Sequence, residues 1–415
     1  MELTKEDHEL LEGSGGEPKR FAMRVLEKFG EATGADRMIP IASAHLVACS
    51  YSSVGEAGIE IYSRLVEQGA KVAVPTSLNP ASVDFRRWAE HRIPKNYAER
   101  QMILVDLVEK MGAIPIWSCT PYYHLNVPRF GQIVAWAESS AVGFINSVIG
   151  ARTNRMSAYV DLCAALVGRM PRFGLYLTEN RAGQFLIDID PELDRNFKSH
   201  YYPALGYLMG MVSKERIPVI DGLSDASFDQ LKLMCAAAAS SGSVAIFHIV
   251  GITPEARTRE EAFQGKEPEE VIHVGVKEIK DVIKAMSTYT GNKVDTVAIG
   301  CPHASVDQLR QYAELLEGKK VHDGTVLWVC TSQTTEAIAE KMGYMDTLKR
   351  AGATIVTDTC INNPPWSEWG FESLLTDSGK FAYYTPSTVG SKCYFTSTEQ
   401  CIRSAISGRI EEEAE

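Results

Sequence analysis

Short apolar runs rich in β-branched residues recur along the chain. Each leads into a small or polar turn, and then into a stretch with apolar positions at helical spacing. The rhythm is clear in GAKVAVPTSLNPASVDFRRW from Gly69, RIPVIDGLSDASFDQLKLMCAAAASS from Arg216 and SVAIFHIVGITPEA from Ser243. It returns in VDTVAIGCPHASVDQLRQYAELL from Val294 and TVLWVCTSQTTEAIAEKMG from Thr325. Strands alternating with helices in this way predict parallel sheets covered on both faces, an α/β fold. Residues 20–70 read as a helix, an extended stretch (RMIPIASAHLV) and a second helix. In CTPYYHLNVPRFGQIVAWAESSAVGFINSVIGARTNR, residues 119–155, a strand (AIPIWS) ends at Cys119 and a helix is expected from about Gly131. Ligands in parallel sheets bind outside the carboxyl ends of strands. Cys301, Thr331, Ser332 and His248 fall at or near such ends.

Composition narrows the class. With 415 residues, 45% hydrophobic and 23% charged, the chain reads as an ordinary globular protein of two lobes, approximately 1–210 and 211–415. A net charge of −11 argues against nucleic-acid or membrane partners, which would repel it, but leaves room for a small anionic substrate held by local donors. No apolar stretch is long enough to span a bilayer, and the first residues, MELTKEDHELLEGSGG, are acidic and polar. A cytoplasmic location is expected.

The nine cysteines are scattered, odd in number and without a CxxC pair, so a disulfide framework is not expected. Cys163 and Cys235 read as small apolar residues on helical faces. Cys119, Cys301 and Cys360 each stand where the chain leaves a sheet. Their separation excludes local zinc-finger spacing and leaves open either a site assembled by the fold or buried structural thiols. Three thiolates on an iron–sulfur cluster would leave one iron free to act as a Lewis acid.

IGCPHASVDQLRQYAELLEGKKV resembles the aconitase-family segment around its first cluster cysteine. TSQTTEAIAEKMGYMDTLKRAGATIVTDTCINNPP is similar to the segment leading to the next cluster cysteines, and TDSGKFAYYTPSTVGSKCYFTSTEQCIRSAISGRI to the anion-binding loop and final helix. The 119–155 segment resembles the divergent branch called aconitase X. The resemblance covers nearly the whole chain. It implies an aconitase-like fold of several parallel-sheet α/β lobes around a central cleft, and a 4Fe-4S cluster. The family's CxxC is broken, with Thr357 at the upstream position, so Cys301 and Cys360 are joined by a third ligand from elsewhere. Cys119 is the choice and Cys393, in VGSKCYF, the alternative. The small swivelling domain that carries the serine base in aconitases is missing, which implies a separate small subunit and a heterodimer.

Aconitase X proteins dehydrate either cis-3-hydroxy-L-proline or, in a modified mevalonate pathway of isoprenoid biosynthesis, (R)-5-phosphomevalonate to trans-anhydromevalonate 5-phosphate. The unfused length favours the second and keeps the first as the alternative. Two turns suit the anionic ends of such a substrate: Ser53, Val54 and Gly55 opening a helix, and Ser77, Asn79 and Pro80 after a strand. Each could equally be a plain capping turn. Lys380 falls where the family holds a substrate carboxylate, and Arg152 and Arg155 are further candidates. His45, Glu138, Asn146, Thr153 and Asn154 read as polar groups near a site or as satisfied interior residues. Asn362 and Asn363 could do no more than form the turn that Pro364 and Pro365 enforce. Two rivals remain: an iron-responsive binding protein, and a hydrolase using Cys301 with His303, although neighbours on a helix start seldom pair as nucleophile and base.

Overall fold

The structure, a computed structural model, describes residues 1–362 and 371–411, so Asn363, Pro364 and Pro365 lie outside the described residues. The backbone forms two compact units, residues 1–182 with Thr253–Glu255, and the remainder from Gly183.

The first unit holds β1 (Met38–Pro40), β2 (Ala44–Leu46), β3 (Thr76–Leu78), β4 (Ala135–Trp136) and β5 (Arg169–Pro171). β1 and β5 pair antiparallel, while β2 is the centre of a parallel sheet in the order β3-β2-β4. The helix Glu17–Thr33 begins with Pro18 in its first turn and ends at Gly34 in the left-handed conformation. Its buried residues Ala22, Met23, Leu26 and Gly30 recur at helical spacing, so one face enters the core. The helix Val160–Val167, apolar almost throughout, is buried along its whole length.

The second unit carries β6 (Phe185–Ile189), β7 (Pro218–Asp221), β8 (His248–Ile249) and β9 (Val271–Val274), a parallel sheet in the order β8-β7-β6-β9. A second parallel sheet has the order β12-β11-β10-β13-β14. Its strands are β10 (Thr296–Ile299), β11 (Val326–Thr331), β12 (Thr354–Thr357), β13 (Ser373–Thr376) and β14 (Lys392–Phe395). β10 is buried at every residue, as a central strand covered on both faces must be. The units divide at Ala182, earlier than the expected boundary near residue 210, because β6 is hydrogen-bonded between β7 and β9, which follow it.

Two expected elements are displaced. The run Val72–Val74 is not a strand: Val72 and Ala73 donate their amides to Met111 and Ala165, and the strand is the following Thr76–Leu78. No helix starts near Gly131, since Ile133 pairs with Arg152, Ala135 and Trp136 pair with β2, and the helix begins at Ser139. Among the described residues no helix is long and apolar enough to cross a membrane.

One device is found in both units. Residues 133–152 run from extended backbone through a capped helix (Ser139–Phe144), a π-turn (Ile145–Ile149) and left-handed Gly150 into a parallel bridge between Ile133 and Arg152. Residues 373–392 repeat it with the helix Gly379–Tyr384, the π-turn Thr385–Val389, Gly390 and the parallel pair Ser373 and Lys392. π-turns inside helices gather at functional sites.

Candidate active site

At the end of β10, Gly300 has φ +87°, and a Cβ there would overlap the carbonyl oxygen of Cys330 on β11. Glycine alone allows the two strand ends to approach so closely. The chain then turns through Cys301 and a cis bond to Pro302. Ala304 donates its amide to the Cys330 carbonyl at 2.9 Å and accepts from Thr331 Oγ1 at 2.8 Å. Ser305 closes the turn by capping the helix Val306–Leu316 in a reciprocal box with Gln308.

The Cys360 turn leaves the neighbouring edge of the sheet. The Asp358 amide donates to the Thr331 carbonyl at 3.1 Å, and the Asp358 carboxylate accepts from the Gln333 amide at 2.9 Å and from its side chain. The two cysteine turns meet at His303, whose Nε2 lies 3.0 Å from the Thr359 carbonyl oxygen. A carbonyl only accepts, so Nε2 carries the proton. Cys301 is buried and Cys360 half-buried, and Asn362 Nδ2 lies 3.8 Å from Cys360 Sγ.

Cys119 is half-buried in the first unit, just after Trp117 bridges to Leu78. Cys393 is fully buried within β14, where burial pushes its thiol up to about 12. The half-buried thiol is the readier ligand. Among the described residues no three His, Cys, Asp or Glu side chains gather in a metal-holding group. What the second unit brings together is a pair: two thiols on adjoining turns, one beside an amide donor, the donor type that iron–sulfur clusters take.

In the first unit the Ser53, Val54 and Gly55 turn differs from a plain helix start. The Ser53 and Val54 amides, expected as donors to an anion, are spent on the Ser50 carbonyl at 2.9 and 3.1 Å. The helix Tyr51–Glu67 breaks at Gly55, whose φ of 53° and ψ of −153° suit only glycine. A second helix start therefore opens after Gly55.

Ser77 lies inside β3 rather than in the turn after it, with Asn79 and Pro80 at the strand end. Asn126 Nδ2 donates to the Ala44 carbonyl at 2.9 Å and to Ser77 Oγ at 2.8 Å. Ser77 Oγ also lies 2.9 Å from His45 Nδ1, so the serine links the asparagine to the imidazole. Burial lowers His45 to about 4, opposed by the charge of Glu138 and by Asn79. Asn79 acts on His45 without completing the contact, since His45 Nε2 and Asn79 Oδ1 are both buried and short of hydrogen-bond geometry. His45 is thus a neutral imidazole held against Ser77.

Lys380 is half-buried in the first turn of Gly379–Tyr384, which Ser378 caps by accepting from the Phe381 amide at 3.1 Å. A Cβ at Gly379 would crowd Ala237, so glycine sets the approach of this turn to the helix Phe228–Gly242. Arg152 is committed to the Tyr176 carbonyl at 2.9 Å and to Glu255 at 3.8 Å, whereas Arg155 is exposed. Glu138 precedes its helix and caps it, accepting from the Ala141 amide and Ser140 Oγ, both at 2.6 Å. Asn146 and Thr153 join reciprocally, and Asn154 holds the Phe173 and Leu175 backbone. These three are staples of the backbone. Lys232, read only as part of an apolar helix, is fully buried beside the Cys301 turn, and its one sequence signal is a charge on an apolar face.

Profiles described as aconitase X first, second and third domain match residues 1–179, 183–284 and 294–407. The chain is 39% identical over 407 residues to the phosphomevalonate dehydratase large subunit of Methanocaldococcus jannaschii, covering 97% of this chain and 100% of that one. It is also 39% identical to the cis-3-hydroxy-L-proline dehydratase of Pseudomonas aeruginosa, over 97% of this chain and 70% of that one. Among solved structures, the holo-form of Thermococcus kodakaraensis aconitase X superposes with TM-score 0.88 at 36% identity, over 98% of this chain and 100% of that one.

Proposed function

Because the chain belongs to the aconitase X family, a group of dehydratases, we propose that it is the large subunit of a phosphomevalonate dehydratase. The observation that carries this reading is the identity to large subunits of that name, 39% in M. jannaschii and 37% in Methanothermobacter thermautotrophicus, along nearly the whole chain. The reaction is a hydro-lyase step: (R)-5-phosphomevalonate loses the proton α to its carboxylate and the hydroxyl from the β-carbon, a double bond forms between them, and water leaves.

Cys301 and Cys360 hold a 4Fe-4S cluster, with Cys119 as third ligand. When bound, the cluster supplies a Lewis-acidic iron for the departing hydroxyl. Lys380 takes one anionic end of the substrate. The turn from Ser53 to Gly55 and the Ser77, Asn79 and Pro80 segment take the other, with neutral His45 orienting Ser77 and supporting Asn79. A small subunit brings the base that removes the proton. Dehydration of cis-3-hydroxy-L-proline is the second reading, favoured by the equal identity to the P. aeruginosa enzyme.

The test is anaerobic assay of the chain with its small subunit on both substrates. Formation of the unsaturated acid from (R)-5-phosphomevalonate, lost in Cys301→Ser, is the expected result. Turnover of cis-3-hydroxy-L-proline alone would move the assignment to the second reading.

A further inference from the structure

The helix Phe228–Gly242 buries a lysine completely. Lys232 Nζ lies 2.8 Å from Asp229 Oδ1 and 3.2 Å from the His303 carbonyl oxygen, and it also donates to Gln308 Oε1. An ammonium has three N–H donors, and these three acceptors match them. A buried charge without such partners would be costly, so the surroundings of Lys232 are built around it. Asp229 uses its second oxygen to accept from Ser305 Oγ at 2.7 Å. Two residues one helical turn apart therefore grip residues 303, 305 and 308, the stretch leading from Cys301 into the next helix.

His303 is held at both ends. Lys232 binds its backbone carbonyl, and its ring donates to the carbonyl of Thr359, the residue before Cys360. The path from Lys232 through His303 to Thr359 joins one buried helix to both cysteine turns.

We infer that Lys232 and His303 are positioning residues that fix the spacing of the Cys301 and Cys360 turns, so that the thiols are preorganised for an iron group. This rests on the reading of those two cysteines as cluster ligands. Neither residue touches the cluster or the substrate in this role; both act through backbone carbonyls. A merely space-filling Lys232 would have been better served by an apolar side chain, and a merely capping His303 has no need to reach Thr359.

The test uses the full chain, loaded anaerobically with iron and sulfide, as wild type, Cys301→Ser, His303→Ala, His303→Gln and Lys232→Met. Two readouts stand apart from turnover: the rate at which a chelator removes iron, and the electron paramagnetic resonance spectrum of the reduced cluster. Thermal melts of the iron-free proteins report folding. His303→Ala is expected to release iron about 10-fold faster or more, the range for outer partners of a metal site, with a changed spectrum. His303→Gln keeps an N–H that can reach Thr359 and restores both. Lys232→Met changes the spectrum in the same direction. If His303→Ala keeps the wild-type spectrum and release rate, the inference falls while the ligand reading stands. If glutamine fails to restore what alanine loses, His303 only fills space and the inference falls too. Full iron content in Cys301→Ser would remove the ligand reading and the inference together. The His303 pair decides even if Lys232→Met does not fold, because neither substitution strands a buried charge.

Discussion

Burial alters the chemistry of His45. Its neutral form is favoured in the folded chain, with a pKa of about 4 against the ordinary 6.5. Below pH 6.5 the unfolded chain gains a proton that the folded chain refuses. The contribution is therefore whole above 6.5 and lost as the pH falls toward 4, about 3 kcal/mol in all. Asp161, raised by burial to about 6, acts in the opposite sense: its unfolded carboxyl ionises first, and stability falls as the pH rises from about 4 to 6. His45→Gln removes only the first effect, so urea midpoints from pH 4 to 7 should show the gap between wild type and variant growing with pH. A pH-independent gap would mean that His45 is not neutralised by burial. Among the cysteines, Cys119→Ser should lower iron content and Cys393→Ser should leave it, as measured by iron analysis after reconstitution. At this scale the sequence picked out His45, Ser77 and Cys301 one at a time. It could not show that His45 and Ser77 meet across neighbouring strands, or that Lys232 reaches the Cys301 turn, because both contacts join residues far apart in the chain.

Elements were legible where hydrophobic period and caps agreed, as in β10, Gly300 and the Ser305-capped helix, which stand where VDTVAIGCPHASVDQLRQ puts them. They were misplaced where tertiary pairing overrode local pattern. Val72–Val74 has strand composition, yet its amides go to the carbonyls of Met111 and Ala165. The repeated strand, helix and π-turn is not legible in the sequence because its two copies share little beyond Ser147 with Ser387 and Gly150 with Gly390. Two glycine substitutions probe elements directly. Gly300→Ala sets a Cβ against the Cys330 carbonyl at positive φ and should cost at least about 2 kcal/mol by denaturant titration. Gly55→Ala meets no neighbouring atom but cannot hold its φ and ψ, so the break in its helix should straighten. Its expected mark is a raised KM for the phosphorylated substrate with the melting temperature nearly kept. A lowered kcat with unchanged KM would place the turn outside binding.

For the whole molecule, the rhythm of strands and helices was sufficient for the α/β class, and the cysteine-bearing segments for the family. The break at Ala182 was not legible, because β6 resembles any other buried strand until its partners are known. Removing iron with a chelator should abolish turnover yet leave a cooperative melt, since Val297, Ile299, Leu327, Val329 and Leu375 form a core that owes nothing to the thiols. Loss of cooperative melting on chelation would make the metal part of the fold. The five-stranded sheet also has a direction in time. It grows outward from β10, first to β11 and β12 on one side and only then to β13 and β14 on the other. At about 5–20 residues per second, a ribosome makes Lys380 about 1–4 s after Cys360. The strands that lead to Cys301 and Cys360 are thus made before the turn that carries Lys380, so a chain stopped between them would hold both cysteine turns without the lysine.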